Sequence, residues 1–255
     1  MTSPSPGRLI LTPGRIAHLV ITAPAARNAM SSAMWRALPD MMRTLAAEPG
    51  CRALILSGEG GCFSAGADIS EFEAIYASPE SALAANASVR GALAALRDLP
   101  LPVIAAVEGP CIGGGVALAL ACDHVIAAPG AVFAIPPARL GIAYSAEDTA
   151  MLLERLTAPR AKELLMSARR LTADEALSWG LIDRLAADPL QAAKAYAETL
   201  AQLSSASIRQ AKRTVNALAA AASDAALASD LAALFSGADF IEGRAAFLER
   251  RPPRF

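Results

Sequence analysis

The chain has 255 residues, of which 54% are hydrophobic and 18% are charged, and its formal net charge is -1 at pH 7. This length can bury a large core, and the high apolar fraction argues against disorder and favours further burial in an oligomer. The small net charge excludes a general attraction to nucleic acid or to an anionic membrane. Charged residues, Gly and Pro interrupt every apolar run before about 18 residues, so no membrane helix is expected. The first residues, "MTSPSPGRLI", lack the pattern of a secretory signal, so we expect a cytoplasmic location.

The first 190 residues alternate between strand and helix patterns. The segment "RIAHLVI" alternates as a half-buried strand does, and "RALILSG" and "LPVIAAVEG" are short apolar runs that end in Gly. Between the first two strands, apolar residues from Met30 to Leu45 recur with helical spacing, and Ser31 and Ser32 are candidate caps. This alternation predicts an α/β fold.

Residues 191–255 have a different character. Their alanines, leucines and charged residues are helix formers, and no convincing strand occurs among them. We therefore predict a core over residues 1–190 and a helical region over 191–255, whose Ala-rich faces pack on the core or on another subunit.

Cysteine and histidine content argues against a metal site. The four cysteines form no C-x-x-C pair, and only His18 and His124 could join them as ligands. We expect four small buried thiols, and neither bound zinc nor a disulfide framework.

The stretch "CIGGGVALALACD", residues 111–123, sets three glycines against a predicted buried helix. A dinucleotide fingerprint, G-x-G-x-x-G, would need glycine where Leu118 stands. Two other interpretations remain open from these residues alone. The glycines allow close packing of helix on sheet, or they expose backbone amides that form an oxyanion hole.

A second glycine-containing segment, "GCFSAGADISEF" at residues 61–72, also follows a predicted strand. Small residues there let a second backbone amide approach a ligand closely. Together with "APAARNAMSS", P-V-I-A-A-V-x-G-x-x-x-G-G-G, A-C-D, "LTADEALSWGLIDRL" and "EGRAAFLERR", this segment follows the order and spacing of a known family. Over nearly its whole length the chain resembles the crotonase (enoyl-CoA hydratase/isomerase) superfamily.

This resemblance implies an α/β fold with a crotonase-like ββα spiral core and a C-terminal helical trimerisation layer. It implies an acyl-CoA substrate, with coenzyme A entering as part of the thioester and no resident cofactor. The expected assembly is a homotrimer or a dimer of trimers.

The resemblance also implies roles for individual residues. The backbone N–H groups of Ala67 and Gly114 match the pair that binds the thioester oxygen, where amides stabilise charge that develops in the transition state. Further positions match the coenzyme A site. Ala65 and Ile69 match positions whose backbone contacts the adenine, and Asp68 belongs to the same motif. Arg27 matches a basic residue near the phosphates. Tail residues that complete the adenine pocket would be Phe240, Phe247 and Arg250.

The sequence departs from the family where hydratases carry two glutamates. The corresponding residues are Ala117 and Pro137, and neither side chain can transfer a proton. Two-carboxylate hydration is therefore not expected.

Replacement proton carriers cluster in "LGIAYSAEDT", residues 140–149. Glu147 resembles the single base of some family isomerases, and Asp148 is the second candidate, with helix capping as its alternative role. Tyr144 resembles a tyrosine of the family's methylmalonyl-CoA decarboxylases, although their histidine is absent at Ala67. We thus expect isomerisation or a rearranged hydration centred on Glu147, and keep two alternatives: decarboxylation of a malonyl-type CoA, and a catalytically inactive CoA-binding scaffold.

Overall fold

The computed structural model describes residues 7–219 and, in the C-terminal tail, Ala238, Glu242, Ala245, Ala246, Glu249, Arg251 and Arg254. The strands in this part of the chain are β1 (Arg8–Thr12), β2 (Ile16–Thr22), β3 (Ala53–Gly58), β4 (Val103–Val107), β5 (Pro110–Ile112), β6 (His124–Ala127), β7 (Val132–Ala134), β8 (Arg170–Thr172) and β9 (Arg184–Leu185). The α-helices are α1 (Ser32–Ala46), α2 (Phe72–Ile75), α3 (Pro79–Arg97), α4 (Gly114–Leu120), α5 (Pro137–Leu140), α6 (Ala146–Arg155), α7 (Ala158–Ser167), α8 (Ala173–Trp179), α9 (Pro189–Leu200) and α10 (Ser205–Ala219).

The strands form two sheets. The larger has the order β1-β2-β3-β4-β6-β9, in which only the β1–β2 pair is antiparallel. The smaller has the order β5-β7-β8, with β5 and β7 parallel. Helical crossovers between parallel strands produce this arrangement, so the predicted α/β class is confirmed.

Helix α1 forms as its sequence predicts. The Ser31 side chain accepts a hydrogen bond from the Met34 amide at 3.3 Å and so caps the helix. Its buried residues recur at helical spacing: Met34, Trp35, Leu38, Met42 and Leu45. This face packs into the main core beside α3.

Two helices, α9 and α10, occupy residues 189–219. The predicted boundary at residue 190 falls just inside α9, and α9 packs on the second face of the large sheet, where Ala193 and Ala197 meet Ile55 and Ile104. This Ala-rich helix thus packs on the core. None of the helices that the structure describes is long and apolar enough to cross a membrane.

Candidate active site

A buried asparagine fixes the turn before α1. Asn28 is fully buried, and its side chain accepts from the Ala23 amide at 2.9 Å. It donates to the carbonyl groups of Glu59 at 2.8 Å and Cys62 at 2.6 Å. Arg27 and Asn28 both have left-handed backbone, with φ of 50° and 58°, a conformation that asparagine tolerates better than most residues. The network ties this turn to the loop after β3, a role that our sequence reasoning missed.

Ser64 connects three segments beneath the site. Its side chain is fully buried, donates to the Asn28 carbonyl at 2.7 Å and accepts from the Gly66 amide at 3.2 Å. Its own carbonyl accepts from the Ile112 amide at 2.9 Å. The glycine-containing segment 61–72 is thus held between the turn before α1 and the strand before α4.

The backbone amide of Ala67 points away from the neighbouring segment, which contains Met30. The Met30 amide donates to the Gly66 carbonyl at 2.7 Å, and the Asp68 amide donates to the Met30 carbonyl at 3.0 Å. These bonds form a parallel bridge between Met30 and Ala67. In such a bridge the Gly66 carbonyl and the Asp68 amide bond to Met30, and the N–H of Ala67 itself points away from Met30.

On that opposite side lies Gly114, the first residue of α4. A Cβ built on Gly114 would lie 3.5 Å from the Ala67 nitrogen and 3.6 Å from the Gly66 Cα, so the two backbones almost touch. Within the described residues, no acceptor takes the amide proton of Ala67 or of Gly114. The structure therefore brings together the two residues predicted for the oxyanion hole, with free donors that suit an oxygen gaining negative charge.

A cavity of about 720 Å³ adjoins the Ala67 end of this site. It lies between α1, α3 and the segment from Ala67 to Tyr76, and its apolar lining includes Met30, Trp35 and Val89. Cavities of this size and character hold small organic ligands.

The cover of this cavity is anchored to α1. The Glu71 carboxylate accepts from the Ser32 amide at 2.7 Å and from the Ser32 hydroxyl. Phe72 and Tyr76 pack edge to face with ring centroids 5.3 Å apart. Glu71 thus holds residues 69–76 over the cavity.

Tyr144 lies just before α6 and reaches Gly113, and Asp148 lies in the first turn of α6. The Tyr144 hydroxyl donates to the Gly113 carbonyl at 3.4 Å. Burial raises the pKa of Tyr144 well above its usual value, and the charge of Asp148 adds to this rise. Burial also raises the pKa of Asp148, and the charge of Glu147 contributes.

Capping proves to be the wrong alternative for Asp148. The N-cap of α6 is Ser145, whose hydroxyl accepts from the Asp148 amide at 3.0 Å. Asp148 is a half-buried carboxylate in the first turn of α6, and its charge acts on Tyr144. Such a desolvated carboxylate with a raised pKa is typical of catalytic proton carriers.

Glu147, the first candidate for the base, lies elsewhere. Its carboxylate is on the exposed side of α6 and pairs with Arg90 at 3.0 Å. Hydrogen bonds from its own backbone amide and from Arg90 lower its pKa. A solvated, ion-paired carboxylate is a weak base, so this geometry favours Asp148 over Glu147.

The described residues that were predicted for coenzyme A lie in the turn before α1 and in the segment that carries Ala67. The Ala65 amide donates to the Arg27 carbonyl at 2.9 Å, while no described residue donates to the Ala65 carbonyl, which is free for a ligand. The Asp68 carboxylate accepts from the Ser70 amide at 2.9 Å, so it caps the turn in which Ile69 is 70% exposed. Coenzyme A binding by these residues stays a prediction. The three predicted tail residues lie outside the described part of the chain: Phe240, Phe247 and Arg250.

Comparisons with known proteins agree with this fold. The model of the enoyl-CoA hydratase/isomerase family matches residues 12–255. A predicted enoyl-CoA hydratase of Thermus thermophilus is 35% identical, and the match covers 95% of this chain and 98% of that protein.

Two solved structures extend the agreement. A protein of the enoyl-CoA hydratase/isomerase family from Hyphomonas neptunium superposes with a TM-score of 0.93 at 40% identity, covering 97% of each chain. An enoyl-CoA hydratase/carnitine racemase from Magnetospirillum magneticum superposes with a TM-score of 0.90 at 32% identity, covering 97% of this chain and 94% of that one. The fold and site define an acyl-CoA enzyme of the crotonase type, and the chain belongs to the enoyl-CoA hydratase/isomerase family.

Proposed function

We propose that this protein isomerises the double bond of an enoyl-CoA, with the Ala67 and Gly114 amides as its oxyanion hole and Asp148 as its proton carrier. The observation that carries the proposal is the pair of free, adjacent amides at Ala67 and Gly114. Family membership supports the acyl-CoA substrate.

The reaction needs one base. With a 3-enoyl-CoA bound, the Asp148 carboxylate removes a proton from C2, and the resulting negative charge spreads onto the thioester oxygen. That oxygen accepts hydrogen bonds from Ala67 and Gly114, which strengthen as the charge develops. Asp148 then returns the same proton to C4, which yields the 2-enoyl-CoA with no net gain or loss of protons.

The positions of the two family glutamates support isomerisation over hydration. Ala117 is fully buried within α4, and Pro137 is the first residue of α5, so neither position offers a titratable group. Adding water needs a group that activates it and a group that protonates carbon. A single carboxylate is better suited to moving one proton between two carbons.

Decarboxylation of a malonyl-type CoA is the second candidate, and Tyr144 favours it. Its hydroxyl lies 3.4 Å from the carbonyl oxygen of Gly113, the residue directly before the oxyanion residue Gly114. Loss of carbon dioxide creates the same enolate but requires no base to remove a C2 proton.

A substrate panel tests the proposal. Purified protein is assayed with a 3-enoyl-CoA, crotonyl-CoA and methylmalonyl-CoA, and we expect the fastest turnover with the 3-enoyl-CoA. Turnover of methylmalonyl-CoA alone would contradict isomerisation and favour the Tyr144 chemistry. Coenzyme A binding without any turnover would contradict both reactions and indicate a scaffold.

The pH dependence of turnover offers a further prediction. The base must be ionised, so kcat/KM falls as pH drops through the pKa of Asp148, which burial and the charge of Glu147 raise. Burial is the main cause of the raised pKa and remains in Glu147→Gln, but the smaller contribution of the Glu147 charge is lost, so the acid limb of the profile should move modestly to lower pH. An acid limb that moves upward, or disappears, in this variant would contradict the role of Asp148.

We also propose a cytoplasmic homotrimer or dimer of trimers that acts in fatty-acid or related acyl-CoA metabolism, without nucleic acid or membrane partners. Large apolar side chains that are exposed in the single chain support assembly: Met166 is 77% exposed, Val215 64% and Leu218 68%. Light scattering on the purified protein measures the assembly directly.

A further inference from the structure

Trp35 holds an unused hydrogen-bond donor in an almost buried side chain. The residue is 3% exposed, and no described residue accepts a hydrogen bond from its indole Nε1. Among the described residues, however, every fully buried side-chain nitrogen or oxygen has a hydrogen-bond partner. The small accessible part of Trp35 therefore includes Nε1.

The accessible part of Trp35 faces the candidate active site. Trp35 and Ala67 line the same cavity. The ring atom Cζ2, which is two bonds from Nε1, would lie 3.2 Å from a Cβ built on Gly114. The edge of the indole ring that adjoins Nε1 thus lies beside Gly114, one of the two candidate oxyanion residues, and the ring lines the same cavity as Ala67.

The other polar residues that line the cavity have a hydrogen-bond partner or are exposed to water. Ser32 bonds to Glu71, and the Ser88 hydroxyl donates to the Ala84 carbonyl at 3.1 Å. Arg36 and Asn86 are exposed, so water can satisfy them. A hydrocarbon chain beside Trp35 would instead displace water from a donor and leave it without an acceptor, which is unfavourable.

We propose that Trp35 determines substrate specificity by donating a hydrogen bond from Nε1 to an oxygen on the acyl group close to the thioester. The preferred substrate class is then acyl-CoAs that carry a hydroxyl or carboxylate oxygen there, and unsubstituted hydrocarbon acyl groups bind less well. A site that hydrogen-bonds a substrate oxygen discriminates strongly against the analogue lacking it. This inference rests on the proposed function, because it requires the thioester to sit at Ala67 and Gly114.

Equilibrium binding of matched ligands tests the inference. Isothermal titration with each enantiomer of 3-hydroxybutyryl-CoA, with methylmalonyl-CoA and with butyryl-CoA separates the hydroxyl and carboxylate cases from plain hydrocarbon. The wild-type protein should bind at least one oxygen-bearing ligand about tenfold more tightly than butyryl-CoA, as one satisfied hydrogen bond implies. Trp35→Phe should lose this preference while its affinity for butyryl-CoA stays the same.

Trp179 provides a matched control. It is the other tryptophan of the chain, and the guanidinium groups of Arg160 and Arg169 lie over its ring, 5.4 and 4.8 Å from the ring centroid. Trp179→Phe should keep the wild-type preference. In that variant Trp35 is the sole tryptophan, so its fluorescence should shift with the preferred oxygen-bearing ligand and much less with butyryl-CoA, even if Trp35→Phe fails to fold.

The outcomes separate this inference from the proposed function. Binding of all four ligands with equal affinity, or a preference that Trp35→Phe retains, would overturn the role of Trp35 and leave the acyl-CoA function standing. Failure of every thioester to bind the wild-type protein would overturn both.

Discussion

Asp148→Asn is expected to lower turnover of a 3-enoyl-CoA by about 10²–10⁴-fold, the usual contribution of a positioned proton carrier. The asparagine side chain has the same shape as the aspartate, and the hydrogen bond from the backbone amide of residue 148 to Ser145 is kept. The asparagine side chain cannot accept the C2 proton. Substrate affinity should change little, because the thioester is held by backbone groups at Ala67 and Gly114. Steady-state kcat and KM, with direct binding of butyryl-CoA, separate the two effects.

Glu147→Gln is the matched control for Asp148→Asn. It makes the same chemical change one residue earlier on α6, where the carboxylate is exposed and paired with Arg90. Exposed ion pairs contribute little, so turnover at neutral pH should stay close to that of the wild type. The reverse result, with Glu147→Gln inactive and Asp148→Asn active, would restore Glu147 as the base and contradict the present proposal.

The choice between these neighbouring carboxylates shows where sequence reasoning ended. Motif resemblance placed a base near residue 147, but the direction in which each side chain points depends on how α6 packs on the core. One signal was available. Asp148 precedes the buried Met151 and Leu152 by three and four residues, a spacing that puts it on the inner face of a helix.

Other features could be predicted because they depend on the backbone conformation of short segments. Strands β3 and β4 and the start of α4 follow from local patterns, and the pairing of Ala67 with Gly114 was implied by the family resemblance, whose motifs have a distinctive order along the chain. Asn28 escaped prediction because two of its three side-chain partners, the carbonyl groups of Glu59 and Cys62, lie 31 and 34 residues away and become neighbours only after folding. Long-range hydrogen bonds of this kind leave no periodic trace in a sequence.

Gly66→Ala is expected to separate the two halves of the oxyanion hole. Gly66 has a φ of 92°, and an added Cβ would lie 2.6 Å from the Ile112 carbonyl oxygen and 3.0 Å from the Gly114 nitrogen. Both neighbours are backbone atoms of the segment that leads into α4, so the loop carrying Ala67 must move away from Gly114. Loss of one oxyanion donor typically lowers kcat by about 10²–10³-fold.

Gly60→Ala distinguishes this effect from backbone strain. Gly60 also has a left-handed backbone, with a φ of 70°, but an added Cβ there meets no atom within 4 Å. Both variants should lose about 1–2 kcal/mol of unfolding free energy through the left-handed conformation, with a further loss from the clash in Gly66→Ala. Only Gly66→Ala should lose turnover among molecules that remain folded, as kcat measured well below the unfolding transition would show. Equal kcat values in the two variants would mean that the spacing between Ala67 and Gly114 does not govern the reaction, and the oxyanion assignment would fall with it.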